Sequence, residues 1–253
     1  PSQSLRDNLA DWGKLIPADA LVVSLMKGVE KNSGLRMSQV IAEAGIDASR
    51  IVVISGPNLA AEIAAEQPAA SVAASASLDS AKLVASASSN SYFTTFTNTD
   101  VIGTEFGGIL KNLIAVAIGI VNGVGYGQNT KASIMTRGVS EISRFAVAFG
   151  AKPKTMVGLA GLGDLIATSE SPLSRNHKAG EMLGKGYSKR EVLARLSQTA
   201  EGLASVSTIL ELARAKGISM PIVEQVELVI EGKMSPKDIA PHLTHETEEP
   251  QGE

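Results

Sequence analysis

The sequence predicts an α/β region followed by an all-α region, on three observations. Short β-rich runs alternate with helix-compatible stretches between residues 20 and 97, the strand signal disappears from about Glu105, and helical spacing then continues to Gly232. The runs fall at 20–24, 50–55, 71–76 and 92–97, with helical stretches at 35–44, 59–66 and 80–88 between them. Such alternation argues for βαβ units, a largely parallel sheet and helices on both faces. In the second half, helices are expected at 106–121, 131–149, 175–183, 189–196, 203–216 and 222–231, with Ser188 as an N-cap and Gly150 and Gly217 as stops. The expected division is a sheet domain at 1–104, a helical domain at 105–244 and a disordered acidic tail at 245–253.

The chain has 253 residues, a net charge of -3 and no cysteine. No basic field supports nucleic-acid binding, and the absence of thiols excludes disulfides, thiolate metal sites and a cysteine nucleophile. A reducing, cytoplasmic setting suits that composition. The longest apolar run, 113–121, is short of the ~20 residues a bilayer requires and is read as a core helix with no membrane span.

Ligands of open parallel sheets gather beyond the carboxyl ends of the strands. The loops there are Leu25-Met26-Lys27-Gly28, Gly56-Pro57-Asn58 and Asn98-Thr99-Asp100, which are expected to share one edge and to aim Lys27 at a ligand. Lys111 and Asn112 precede a segment without charge, where an ammonium is costly unless something binds it; the alternative is a snorkelling surface lysine. The adjoining face at Ala115, Gly119 and Asn122 is small enough to admit a ligand or another backbone. Residues 158–165 (GLAGLGDL) admit two readings, a turn approaching ligand or tight helix packing. Asp164 within them is either a helix N-cap or a buried carboxylate with a cationic partner, and Thr168 lies one helical turn along. Residues 171–176 (SPLSRN) end at a helix start and suit a phosphate, or form an ordinary capped loop. His177 reads as exposed, and Arg137, Glu141 and Arg144 as a solvated helix face.

Taken in order, Leu25-Met26-Lys27-Gly28-Val29-Glu30, Ser55-Gly56-Pro57-Asn58-Leu59-Ala60, Gly108-Ile109-Leu110-Lys111-Asn112, GLAGLGDL and SPLSRN resemble the bacterial NAD(P)-dependent glycerol-3-phosphate dehydrogenases. The resemblance extends to about Gly232, and its motifs are specific as a set. It implies a Rossmann-like dinucleotide-binding domain, a helical substrate domain, and NAD or NADP as cofactor. It makes Lys111 the proton donor or acceptor and Lys27 a second active-site lysine touching substrate and cofactor, with Asp164 beside them. Asn112, Asp164, Thr168, Ser174, Arg175 and Asn176 would line the substrate, Arg175 also lying near the nucleotide. Gly56, Asn58 and Ala60 would follow the cofactor, Gly56 and Asn58 reaching the substrate too, and Thr199 and Glu201 would complete the cofactor set. Asn58 stands where many relatives have serine or threonine. Burial and the second cation at Lys27 are expected to lower the pKa of Lys111, with Asp164 opposing.

No complete GxGxxG occurs, whereas the family begins with a strand and such a turn; the chain is therefore expected to be a partial record of a longer enzyme, with impaired nucleotide affinity by itself. Gly123 to Lys131 lacks P-loop spacing, and His242 and His245 are weak evidence for a metal, so none is expected. Expected partners are a small phosphate ester and a second copy of the chain, with 204–212 as a dimer face unless that patch is core. Two competing readings are a two-domain hydroxyacid or ketoacid dehydrogenase and a non-catalytic helical interaction module.

Overall fold

A computed structural model describes residues 2–196 and 200–239. It groups into two compact units. The first comprises Pro1–Ile109 with Ala146–Ala167, and the second Leu110–Phe145 with Thr168–Glu253. The expected cut at 104/105 is thus drawn differently, because the stretch after residue 145 packs back on the sheet: Lys152 donates its backbone N–H to Asp100 at 2.8 Å, and Asn98 donates to Thr155 at 3.4 Å. The expected tail at 245–253, with His242 and His245, lies outside the described residues.

The first unit holds strands β1 (Val22–Ser24), β2 (Ile51–Ser55), β3 (Ala69–Ala74) and β4 (Phe93–Asn98), in the spatial order β1-β2-β3-β4. With them are helices α1 (Leu5–Trp12), α2 (Met37–Glu43), α3 (Ala60–Ala64) and α4 (Leu78–Ser88). All five residues of β2 are buried, as expected of a strand covered on both faces. α1 was not anticipated; Leu5 and Leu9, one turn apart, are its buried face and join Met37, Val40, Ile41 and Ile51 in one core.

The sheet is mixed. β1 pairs parallel with β2 and β3 parallel with β4, but β2 and β3 run antiparallel. Short α3 therefore reverses the chain and does not complete a crossover. The antiparallel register corrects one expectation: β1 and β2 run toward one edge, while β3 and β4 run the opposite way, β4 ending with Asn98 beside Ala74, level with Val53 in the middle of β2. The loops after β1 and β2 can share a ligand; the loop after β4 cannot join them there. It starts a helix instead, since Asp100 accepts the N–H of Gly103 at 2.8 Å.

α5 (Val101–Val124) and α6 (Gln128–Ala148) follow, then α7 (Pro153–Met156), a π turn at Leu159–Gly163, and α8 (Asp164–Glu170). α5 is long and apolar enough to cross a membrane by composition, but the residues from Phe106 to Val121 that carry most of its apolar surface are buried in protein, so it reads as a core helix. The packing reading of the glycine-rich segment holds at Gly161, and Gly107 of α5 packs against the same segment. A Cβ at Gly161 would collide with the Met156 carbonyl, and one at Gly107 would lie 2.5 Å from the Ala160 carbonyl oxygen.

The second unit adds α9 (Arg175–Gly184), α10 (Lys189–Arg195), α11 (Glu201–Ala215) and α12 (Pro221–Ile230). Ser188 closes a capping box with Glu191, and Gly150 and Gly217 take positive φ after α6 and α11. The small face of α5 admits another backbone: Gly119 abuts the His177 carbonyl and Gly123 the Glu181 carbonyl, both on α9. Of the two readings of 204–212, core is the one observed for Val206, Ile209 and Leu210, which are buried; one surface expectation fails, since Glu141 is only 1% exposed and no part of a solvated face. Its carboxylate accepts the backbone N–H groups of Ile222 and Val223 at 3.0 and 3.1 Å, which caps the start of α12.

Candidate active site

In the first unit, the edge where β1 and β2 end carries Lys27 and Gly56. Lys27 Nζ donates to Asp164 Oδ2 at 2.6 Å and to the Gly56 carbonyl at 3.1 Å. Asp164 is buried, and Lys27 keeps 20% of its side chain exposed, so the ammonium is held from inside while part of the side chain reaches water. Of the two readings of Asp164, the buried carboxylate with a cation is the one observed, at the first residue of α8.

Gly56 is required by both conformation and space. Its φ is +146°, and a Cβ would lie 3.1 Å from Ser71 Cα. Asn58 Nδ2 donates to Ser71 Oγ at 3.1 Å, and that hydroxyl donates to the Ser55 carbonyl at 3.0 Å. Two buried oxygens at this edge, Ser55 Oγ and Asn58 Oδ1, have no hydrogen-bond partner among the described residues. Orphaned polar atoms of this kind cost free energy unless a ligand or water meets them. Ala60 opens α3 and is exposed.

In the second unit, Lys111 is 6% exposed, which rules out snorkelling, and its Nζ donates to Thr168 Oγ1 at 2.5 Å. Asp164 and Thr168 stand four residues apart on α8, one helical turn. Asn176 Nδ2 donates to Asn112 Oδ1 at 2.8 Å, and Asn176 Oδ1 accepts the N–H of Gly202 at 3.0 Å. The two asparagines thus bind α5, α9 and α11 together, and a Cβ at Gly202 would sit 2.8 Å from the Asn112 carbonyl oxygen. Ser174 caps α9 by accepting the His177 N–H at 3.2 Å; Arg175, next in the chain, is exposed. Glu201 begins α11 and is half-buried, while Thr199 lies outside the described residues. His177 is half-buried, contrary to the exposed reading. Burial lowers its pKa below the ordinary histidine value, Lys131 adding to the shift and Glu181 and Glu170 opposing it.

Sequence reasoning passed over Ser71, Ser55 and Gly202. Ser71 sits in a run read only as a strand, where period-2 burial gives no sign of a polar role, and Ser55 ends a strand run and opens the motif that continues to Ala60 without being given a role of its own. Gly202 had a usable signal, a glycine directly after Glu201 at a helix start.

The comparisons with known proteins agree with one another. Family models described as NAD-dependent glycerol-3-phosphate dehydrogenase N-terminus and C-terminus match residues 1–81 and 100–241. The chain is 63% identical to the glycerol-3-phosphate dehydrogenase (NAD(P)+) of Leifsonia xyli subsp. xyli over 254 residues, covering 100% of this chain and 69% of that protein. Identity to the enzyme of the same name from Corynebacterium glutamicum is 53% over 241 residues, 94% of this chain and 73% of that one. The crystal structure of glycerol-3-phosphate dehydrogenase from Coxiella burnetii matches with a TM-score of 0.88 at 35% identity, over 94% of this chain and 72% of that one.

Proposed function

Because this chain belongs to the NAD-dependent glycerol-3-phosphate dehydrogenase family, we propose that it interconverts dihydroxyacetone phosphate and sn-glycerol 3-phosphate with NAD or NADP, supplying glycerophospholipid synthesis. The observation that carries the reading is the buried Lys111 ammonium held against the Thr168 hydroxyl. A lysine this deep in an apolar helix repays its desolvation best if it serves chemistry. In reduction, Lys111 stabilises the negative charge that grows on the carbonyl oxygen and then delivers a proton from Nζ; in oxidation it takes that proton back. Thr168 accepts a hydrogen bond from Nζ and so restrains the ammonium.

Lys27 and Asp164 complete the proposed catalytic set, Asp164 restraining the ammonium that touches substrate and cofactor. Arg175 and the backbone amides of 174–176 bind the phosphate, so that binding energy remote from the reacting carbon orients it. Asn112 and Asn176 line the substrate. The edge at Gly56, Asn58 and Ala60 fits a dinucleotide, because Asn58 Oδ1 and Ser55 Oγ await a partner there; Arg175, Thr199 and Glu201 extend the proposed contacts. A bound nicotinamide supplies or accepts the hydride. A homodimer in the cytoplasm belongs to this reading on the family resemblance, and sedimentation velocity checks the dimer.

Lys111→Ala is expected to lower turnover at least about a hundredfold, the lower range for losing general acid–base help. The assay follows NAD(P)H oxidation with dihydroxyacetone phosphate, and near-normal turnover rejects the role of Lys111. Wild-type turnover of small ketoacids in preference to the phosphate ester would favour the rival dehydrogenase reading.

A further inference from the structure

We propose that Glu105 is a positioning residue for Lys27, acting through Arg36 and Ser38 to fix the loop that presents the lysine. The proposal rests on the reading of Lys27 as an active-site lysine.

Glu105 is 3% exposed and lies on α5, within the first unit. Its carboxylate is surrounded by donors from the start of α2: the Arg36 guanidinium, the Ser38 N–H at 2.9 Å and the Ser38 hydroxyl at 2.5 Å. Arg36 also donates to Ser38 Oγ at 3.0 Å, and its guanidinium carbon stands 5.7 Å from the centre of the Phe106 ring. Both carboxylate oxygens of Glu105 are therefore held by donors of defined direction.

Arg36 is where the loop after β1 closes. Val29, 1% exposed, forms an isolated β-bridge with Arg36, and inside it the Glu30 N–H meets the Leu35 carbonyl at 2.9 Å while the Gly34 N–H meets the Glu30 carbonyl at 2.8 Å. Lys27 lies only two residues before Val29, so whatever fixes Arg36 fixes the backbone from which Lys27 projects. The same helix meets the lysine's stem one turn later. A Cβ at Gly108 would fall 3.3 Å from Lys27 Cγ and 2.6 Å from Ser55 Oγ. α5 thus locates the base of the loop through Glu105 and the side chain through the bare backbone at Gly108.

A buried ion pair is weak evidence for stability, since a well-packed apolar replacement often does as well. What Glu105 supplies that an apolar residue cannot is direction: three donors must reach two oxygens, which leaves α2 and the loop before it one register against α5. Precise placement of an ammonium is where such a device has its largest effect.

The test measures Lys27 directly. Wild type and Glu105→Gln are labelled with a trace amine reagent and mapped by mass spectrometry, with exposed Lys82 as internal reference. Lys27 labelling relative to Lys82 is expected to change by at least about threefold, and kcat/KM to fall about tenfold, within the range of coupled-residue effects. In a Lys27→Ala background the same substitution should cost less than about twofold further, because the residue it acts through is gone. Unchanged Lys27 labelling, or an equal loss of kcat/KM in both backgrounds, overturns the proposal and returns Glu105 to a purely structural role. If Glu105→Gln fails to fold, Arg36→Lys keeps the charge, removes the planar fork and is read by the same criteria. Absence of dehydrogenase turnover in the wild type would sink the functional reading while the labelling comparison still decides the positioning claim.

Discussion

Glu105 in the first unit and Glu141 in the second are both buried carboxylates, yet they are satisfied by different chemistry. Glu105 meets a guanidinium as well as an N–H and a hydroxyl. Glu141 meets the first free N–H groups of α12, and the cation that acts on it, Arg144, is itself exposed on α6. Burial pushes the Glu141 carboxyl up to about 7, with the Ile222 and Val223 N–H groups and Arg144 pulling it down and Glu224 pushing it further up. A helix N-terminus can hold a buried carboxylate in place without fully compensating its charge.

The comparison breaks most sharply at the ion pair. Arg36→Ala strands the Glu105 charge and should cost about 3–5 kcal/mol in urea unfolding, the range for removing one member of a buried pair. A loss of well under 1 kcal/mol would mean that water replaces the guanidinium there.

The second prediction concerns pH. A carboxyl whose folded pKa is raised binds its proton more tightly in the native state, so its contribution is fully present below about 4.5 and is lost as pH rises through about 7. The stake is on the order of 3 kcal/mol. Glu141→Gln cannot ionise but keeps an oxygen for the two N–H groups, so its stability relative to wild type should increase between those pH values and then level off. Parallel pH profiles for the two proteins would show that Glu141 titrates as an ordinary carboxylate.

The smallest effect belongs to a third ionic cluster, at the surface. Arg6 donates to Glu30 at 2.8 and 2.9 Å and to Glu43 at 2.7 Å, and its side chain is 45% exposed. Arg6→Ala should leave the unfolding midpoint within experimental error, because solvent screens such pairs. A clear destabilisation would place this cluster with the buried pair and weaken the distinction between them.

These carboxylates also mark the limit of what sequence conveys. Glu141 shares helical spacing with Arg137 and Arg144, which reads as a solvated ladder until α12 is brought against it some eighty residues later in the chain. Asp164 was legible as a carboxylate needing a partner, because Leu162, Leu165 and Ile166 surround it in sequence, but nothing local names Lys27 as that partner. The candidate site was readable as motifs, and the resemblance those motifs carry agrees with the family matches. The edge shared by the strand-end loops was misjudged, since an Ala-rich five-residue helix such as α3 is equally compatible with a crossover and with a reversal.

Local pattern located the four strands and most of the longer helices, though not α1, because side-chain periodicity and caps such as Ser188 act over a few residues. It also raised the buried, partnered reading of Lys111 and Asp164 beside the snorkelling and N-cap alternatives, since charge in apolar surroundings is costly at any fold, and burial decided between them. Strand direction, the identity of each buried partner and the capping of α12 by Glu141 were decided only by tertiary packing. They depend on which distant backbone comes within hydrogen-bond reach, and a contact of that kind leaves no period in the chain.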